Sequence, residues 1–184
     1  MYKLGTITDN EQVPFSYPNV WAAERTSGPV RLVIGPTRGH IGLMRELATC
    51  WSPGYSLLYV LLVSRLGNEP GRYQCPDPLF LVELDGFLET YGTFLESDGR
   101  HHLWIGSLTN EGTLVYDRHN VIYAYGPLDS YRRILDRRGL GEVPEVRFPA
   151  PHTHEYNEQN DAWEDRLMNH WVWRKFPLQD NDDE

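Results

Sequence analysis

The alternation of apolar and polar residues is clearest between Gly99 and Gly126, in the run GRHHLWIGSLTNEGTLVYDRHNVIYAYG. His102 and Trp104 alternate with residues that would face the opposite side of a strand. Two further runs rich in β-branched and aromatic residues, 113–116 and 121–125, follow turns that contain Gly, Asn or Asp. The pattern predicts an antiparallel three-stranded meander.

Two other segments predict strands before the meander. Residues 29–35 alternate in the same way. Residues 55–66, YSLLYVLLVSRL, are almost continuously apolar between turn signals, which is typical of a strand buried on both faces. We expect this strand at the centre of a sheet, with Leu58, Val60 and Leu62 almost fully buried.

Apolar residues recur at helical spacing in four places, each with a recognisable start or stop signal. Such a stripe buries one side of a helix against a sheet and leaves the polar side in water. The predicted helices are 38–51 with Thr37 as N-cap, 78–97 with Asp77 as N-cap, 130–138 with Asp129 as N-cap and Gly139 as the stop, and 161–173.

The remaining segments complete the predicted architecture. Residues 1–28 are broken by Gly and Pro and predict an irregular N-terminal arm, with one strand near residues 3–8. Residues 145–148 predict a short edge strand and residues 151–160 a polar loop, whereas the acidic residues 179–184 predict a disordered tail. Residues 29–178 then form a single α+β domain, a mostly antiparallel sheet with a central meander and helices packed on it.

Charge and composition narrow the class of partner and the compartment. With a net charge of −9 over 184 residues, the chain lacks the basic surface that nucleic acids and anionic membranes attract. The same charge suits a basic protein partner. Cys50 and Cys75 have no metal or redox spacing, and residues 1–12 have no apolar signal core. We therefore expect a cytoplasmic protein, whose oligomeric state the sequence leaves open.

The turn 117–120, DRHN, combines an acid, a guanidinium, an imidazole and an amide. Together with His102, the side chains of Asp117 and His119 are candidates for acid–base catalysis. Asp and Asn are also the residues that turns use to bond their own backbone, so a purely structural role is the alternative. We expect His102, Trp104, Asp117 and His119 at one end of the meander, with the carboxylate raising the histidine pKa.

Aromatic residues make up 12% of the chain, which suits a binding surface as well as a core. Around the meander, the candidates for binding a partner are Trp104, Arg118, Tyr123 and Tyr125. No nucleophile elbow and no metalloprotease helix motif occurs in the sequence. The sequence therefore favours a protein that is not an enzyme.

His152 and His154 are the strongest metal-ligand candidates, in the run HTHE. In an extended segment both would lie on one face and could share an ion, with Asp117 and His119, or His101 and His102, completing the site. The alternative is a surface loop in which histidines only form hydrogen bonds. Because the closely spaced cysteines of structural zinc sites are absent, we expect no metal and no other cofactor.

The run LWIGSLTNEGTLVYDRHNVIYAYGPLDSYRRILDRRG, residues 103–139, resembles the last part of SUKH-type immunity proteins of bacteria. The shared features are a Gly-bearing turn, a strand (113–117), a turn rich in Asp and His (118–120), a second strand, and a helix that matches 129–135. The family's N-terminal helix signature is absent. The resemblance implies a non-catalytic cytosolic protein that binds a toxin or another protein.

Two hypotheses of function follow. The first is a non-catalytic, protein-binding domain of the cytoplasm, of immunity type. The alternative is a small metal-dependent or acid–base hydrolase that uses the histidine-rich surface.

Overall fold

The computed structural model describes residues 1–182, without the side chain of Asn181; the last two residues of the predicted acidic tail lie outside the described residues. The strands are β1 Leu4–Thr8, β2 Glu11–Pro14, β3 Val20–Glu24, β4 Arg31–Gly35, β5 Tyr55–Leu61, β6 Gly71–Gln74, β7 His101–Ser107, β8 Thr113–Tyr116, β9 Ile122–Tyr125, β10 Gly141–Glu142, β11 His152–His154 and β12 Arg174–Phe176. The helices are α1 His40–Ala48, α2 Leu81–Ser97, α3 Leu128–Arg137 and α4 Asp161–Met168. The predicted α+β class is confirmed. Across residues 1–182, no helix has the length and apolar character that crossing a bilayer requires.

Nine strands form the main sheet in the order β10-β3-β4-β9-β8-β7-β5-β6-β12, and β11-β1-β2 form a second sheet. Neighbouring strands are antiparallel except β10 and β3, which are parallel. The predicted meander is confirmed, because β7, β8 and β9 pair consecutively. Trp104 lies opposite Val115, and Val115 opposite Tyr123. This register places the three side chains in one row on the same face of the sheet.

The two faces of the main sheet are covered differently. Helices pack on one face, where Leu57, Ile105 and Leu114 belong to the large core cluster and are fully buried. The second sheet covers part of the other face, where Leu4 of β1 and Val33 of β4 belong to one smaller core cluster. Beyond this cover, the row of aromatic residues along the meander borders an open cleft.

The N-terminal 28 residues contain β1 where a strand is predicted near residues 3–8, and they contain β2 and β3 where the sequence predicts irregular structure. β1 and β2 form a hairpin whose two turn residues, Asp9 and Asn10, both have positive φ angles of 53° and 65°. This geometry is that of the tightest hairpin turns, which favour Asn and Asp. The turn signal was present in the sequence, but each strand is too short to show a sustained period. β3 joins the main sheet beside β4.

The helices occur near the predicted positions but begin differently. The residue before α1 is Gly39, with a left-handed φ of 73°, and the residue before α2 is Phe80; neither Thr37 nor Asp77 is the N-cap. The carboxylate of Glu83 accepts the backbone N–H of Phe80 at 2.8 Å, which satisfies one end of α2. Pro127, rather than Asp129, precedes α3, whereas Gly139 has the predicted left-handed conformation, with φ 74°.

The C-terminal third departs furthest from the prediction. Residues 145–148 form no strand, and the predicted polar loop contains β11 instead. α4 ends at Met168 rather than 173. Up to Asp182 the acidic segment forms a 3₁₀ turn rather than a disordered tail, and Asp182 itself is buried. The segment contacts the rest of the protein through the pair of Asp182 and Arg72. Because the segment lacks apolar residues, nothing in the sequence indicated this contact.

The apolar segment 55–66 forms a strand only up to Leu61, and this strand is the seventh of nine rather than the central one. Val60 and Leu62 are buried as predicted, but Leu58 is only half-buried. The prediction was wrong for Leu58 because the face opposite the helices is partly open.

We therefore expect the two neighbouring leucines of β5 to respond differently to truncation. Leu57→Ala should lower the free energy of unfolding by about 2–5 kcal/mol, because it opens a cavity in the core. Leu58→Ala, one residue on and facing the partly open side, should cost less than about 1 kcal/mol. Chemical denaturation measures both, and equal losses would contradict the assignment of the two faces.

A buried ionic network joins the second half of the chain. The guanidinium of Arg100 is fully buried and donates to Asp98, with Nε to Oδ1 at 2.8 Å, and to Glu164. It also donates to Asp161 at 3.1 Å and to the backbone oxygen of Asn157 at 3.0 Å. The N–H groups of this one guanidinium, held in a fixed planar geometry, therefore pair with Asp161 and Glu164 of α4 and with Asp98 at the end of α2.

Removing this guanidinium should be costly. Arg100→Met leaves the carboxylates of Asp98 and Glu164 buried without their partner and should destabilise the protein by about 3–5 kcal/mol. Arg65 pairs with Asp161 from a side chain that is 40% exposed, so Arg65→Met should cost less than about 1 kcal/mol. Thermal or chemical unfolding of the two variants tests the difference.

Candidate metal centre

Two histidines of the short strand β11 lie on the same side of the backbone. His152 and His154 are two residues apart, so their side chains leave one face of the strand. Pairing with β1, in which His154 lies opposite Leu4, holds the segment extended. The prediction of a loop was wrong because the pairing partner of this strand lies at the other end of the chain.

The turn between β8 and β9 brings a third histidine to the same place. Oδ1 of Asp117 accepts the backbone N–H of His119 at 2.9 Å and that of Val121 at 3.3 Å, while Asn120 has a φ of 60°. The other carboxylate oxygen of Asp117, Oδ2, lies 2.9 Å from Nδ1 of His119. One carboxylate therefore shapes the turn and orients the imidazole, so the two roles predicted as alternatives occur together.

His119, His152 and His154 form a compact cluster. One ring nitrogen of each lies within 4.8 Å of those of the other two, and the ring centroids are 4.9–5.2 Å apart. Nδ1 of His119 is engaged by Asp117, and Nδ1 of His152 lies 3.1 Å from the carbonyl oxygen of Pro149. These bonds leave Nε2 of both rings available. Within residues 1–182, neither nitrogen of His154 has a hydrogen-bond partner.

Within the cluster, the environment of His154 favours its neutral imidazole. Burial, followed by the charges of His119, Arg118 and His152, lowers the pKa of His154 to about 3. Burial alone would raise the pKa of Asp117, but the hydrogen bond from His119 and nearby positive charges outweigh it and hold that pKa below its usual value. Histidine binds transition metals as a neutral imidazole, and a carboxylate hydrogen-bonded to the other ring nitrogen orients that imidazole.

A cleft of about 640 Å³ runs along the open face of the meander. Its lining includes Trp104, Tyr123 and Tyr125, which the sequence predicted as binding residues, together with His102 and Asp117. Of the four residues predicted to meet at a concave surface, His102, Trp104 and Asp117 line this cleft, whereas His119 does not line it and contacts Asp117 instead. The histidine cluster continues from this cleft, because Asp117 contacts both.

The other predicted site residues lie around the same turn. Arg118 lies half-buried between β8 and β9, and its positive charge lowers the pKa of His102 and of His154. His101 faces the helices and lies with Nε2 3.2 Å from the carbonyl oxygen of Leu95, so it is part of the core. Sequence reasoning did not identify Arg31, which lines the cleft from β4.

The predicted increase in the pKa of His102 was wrong, although the carboxylate acts in the predicted direction. Asp117 does raise the pKa of His102, but burial lowers it more, and the charges of Lys3 and Arg118 act in the same direction as burial. The pKa is about 4, so this imidazole is neutral at neutral pH. Desolvation outweighs the single nearby carboxylate because His102 is only 7% exposed.

A second cavity, of about 480 Å³, lies next to the cleft. It shares Arg31 and Tyr123 with the cleft and reaches Phe148, whose ring centroid is 5.2 Å from that of His119. An ion held by the histidines would therefore have apolar and aromatic surfaces nearby.

Comparisons of the chain with models of protein families, with curated proteins and with solved structures found no match. The resemblance to SUKH-type immunity proteins stays a prediction.

One buried histidine supports the turn of the site and should make stability depend on pH. Nε2 of His40 lies 3.0 Å from the carbonyl oxygen of Asn120. Burial, followed by the charge of Lys3, lowers the pKa of His40 from 6.5 to about 4. Between these pH values the unfolded chain binds a proton that the native protein excludes, so stability falls as the pH falls through this window.

We expect the free energy of unfolding of His40→Gln to decline less steeply from pH 6.5 to 4 than that of the wild type. Glutamine keeps a donor for Asn120 but does not titrate, so the variant loses a contribution on the order of 3 kcal/mol to the pH dependence. Urea denaturation at several pH values gives both slopes. Parallel slopes would show that the pKa of His40 is not lowered in the native protein.

Proposed function

We propose that the protein binds a divalent transition-metal ion, with zinc as the preferred ion, through His119, His152 and His154, and that it acts as a metal-dependent hydrolase. The observation that carries this proposal is the convergence of three ring nitrogens within 4.8 Å. Imidazole nitrogens are ligands that zinc prefers. The proposal departs from the sequence-based expectation of a protein without a metal.

The type of ligand set supports a catalytic rather than a structural role. Structural zinc sites are closed by four protein ligands, usually including cysteine, whereas three protein ligands leave one position for water or substrate. Such an ion supplies a Lewis acid and lowers the pKa of bound water to about 7. In this chain, Asp117 holds His119 through Nδ1, and the carbonyl group of Pro149 faces Nδ1 of His152.

The neighbouring cleft supports access for a substrate. Its volume of about 640 Å³ lies within the usual range for small-molecule sites. Trp104, Tyr123 and Tyr125 supply the aromatic walls, and Asp117 connects the cleft to the histidines. The open aromatic face also supports the other hypothesis, a protein-binding domain, which stays a prediction.

Metal content tests the site. Protein purified without an affinity tag should contain about one equivalent of metal by elemental mass spectrometry, and His154→Ala should contain almost none. His170→Ala is the matched control, because His170 is exposed and lies outside the cluster. Asp117→Asn should keep the turn but weaken metal affinity by roughly 10–100-fold, as loss of a carboxylate that orients a ligand does.

Turnover tests the hydrolase assignment separately. The zinc-loaded protein should hydrolyse activated esters such as p-nitrophenyl acetate, or a p-nitrophenyl phosphodiester, faster than His154→Ala at equal zinc concentration. Metal bound in stoichiometric amount without any such difference would overturn the hydrolase and leave the metal site. Absence of metal affinity in the wild type would overturn both.

A further inference from the structure

An aspartate of the chain's own C-terminal segment lies in the cleft. Asp182 is only 3% exposed and lines the cleft together with Arg31, His102 and Trp104. Its Oδ2 lies 3.8 Å from Nε of Arg72, on β6. A buried carboxylate requires charged or hydrogen-bonding partners, so the cleft supplies an environment that accepts a negative charge.

The backbone positions this carboxylate by a tight turn. The N–H of Gln179 donates to Oδ2 of Asp182 at 2.7 Å, and the N–H of Asp182 donates to the carbonyl oxygen of Gln179 at 2.9 Å. Residues 179–182 contain no apolar side chain, so burial of apolar surface does not hold them there. In a chain with a net charge of −9, docking of an acidic segment requires a local positive field.

Two arginines provide that field, and aromatic rings hold both in place. The guanidinium carbon of Arg72 lies 5.2 Å from the ring centroid of Trp104, and that of Arg31 lies 4.1 Å from the ring centroid of Tyr123. Arg31 is already paired with Glu24, with Nε to Oε2 at 2.5 Å, so Arg72 is the cation that faces Asp182. Stacking on an aromatic ring keeps a guanidinium oriented toward an incoming carboxylate.

The cleft also contains polar atoms that lack partners. Nε1 of Trp104 and Nε2 of His102 are buried and form no hydrogen bond within residues 1–182. His102 is neutral, and Asp117, the other acidic group of the lining, is engaged by His119. Buried polar atoms without partners are rare in native proteins, so these two call for an explanation, and a bound ligand would supply partners for them.

We propose that this cleft is a docking site for an acidic peptide segment of a partner protein, and that residues 179–182 of this chain occupy it in cis as a competitor. Arg72 binds a carboxylate of the peptide, and Trp104 and His102 contribute hydrogen-bonding groups beside it. The site does not require the metal ion, so it extends beyond the hydrolase function. Removal of the C-terminal segment opens it.

The test uses a fluorescein-labelled peptide with the sequence PLQDNDDE, residues 177–184, and fluorescence anisotropy. A chain that lacks residues 179–184 should bind the peptide at least about tenfold more tightly than the full chain, because the cis competitor is gone. In the truncated chain, Arg72→Met should weaken binding about tenfold or more, whereas Arg38→Met, at an exposed arginine outside the cleft lining, should not. Binding should also weaken as salt rises.

Two further measurements keep the proposal testable. Asp182→Asn in the full chain should raise peptide affinity without truncation, which covers the case of a truncated chain that folds poorly. A chelator should leave peptide binding unchanged, so failure of the metal proposal and failure of this one are distinguishable. The proposal is overturned if neither the truncated chain nor Asp182→Asn binds the peptide more tightly than the full chain does, or if Arg72→Met binds it as well as Arg38→Met.

Discussion

The buried guanidinium of Arg100 is the interaction on which the rest of the structure depends. It lies directly before β7 and bonds acidic groups from the end of α2 and from α4, as well as the backbone oxygen of Asn157. Asn157 in turn donates from its side chain to the carbonyl oxygens of Ser97, at 2.7 Å, and Tyr2, at 3.1 Å. A single cation therefore ties together the N-terminus, the meander and the segment that follows β11.

The position of the histidine cluster follows from this anchor. The backbone N–H of Gly99 donates to the carbonyl oxygen of Glu155 at 2.8 Å. The backbone N–H of Glu155 donates to the carbonyl oxygen of Lys3 at 3.0 Å. Glu155 directly follows β11, so these bonds place His152 and His154 next to the turn that carries His119. The site thus depends on a charged core as much as on the sheet that bears it.

Local interactions explain what could be predicted from the sequence. The meander was predictable because its strands are adjacent in the chain and its turns contain the expected residues. The same locality placed His102, Trp104 and Asp117 together, since antiparallel register fixes which strand end meets which turn. The role of Asp117 was predictable only in part, because a turn residue and a residue that orients a histidine have the same sequence signature.

Pairing between distant segments explains what could not be predicted. His152 and His154 form a strand only because β1 lies beside them, and nothing in the run HTHE indicates that partner. The burial of Asp182 likewise depends on Arg72, more than a hundred residues earlier in the chain. Leu58 was misjudged for the same reason, since only the tertiary arrangement leaves one face of the sheet partly open.

The pairing of Leu4 with His154 also has a consequence for how the protein folds. These residues close a loop that contains most of the chain, and such closure has a high entropic cost and slows folding. The three histidines therefore come together only when the first strand has joined the last third of the molecule. An ion that binds all three would recognise the completed fold and not its intermediates, and it would stabilise the native state by mass action as its concentration rises.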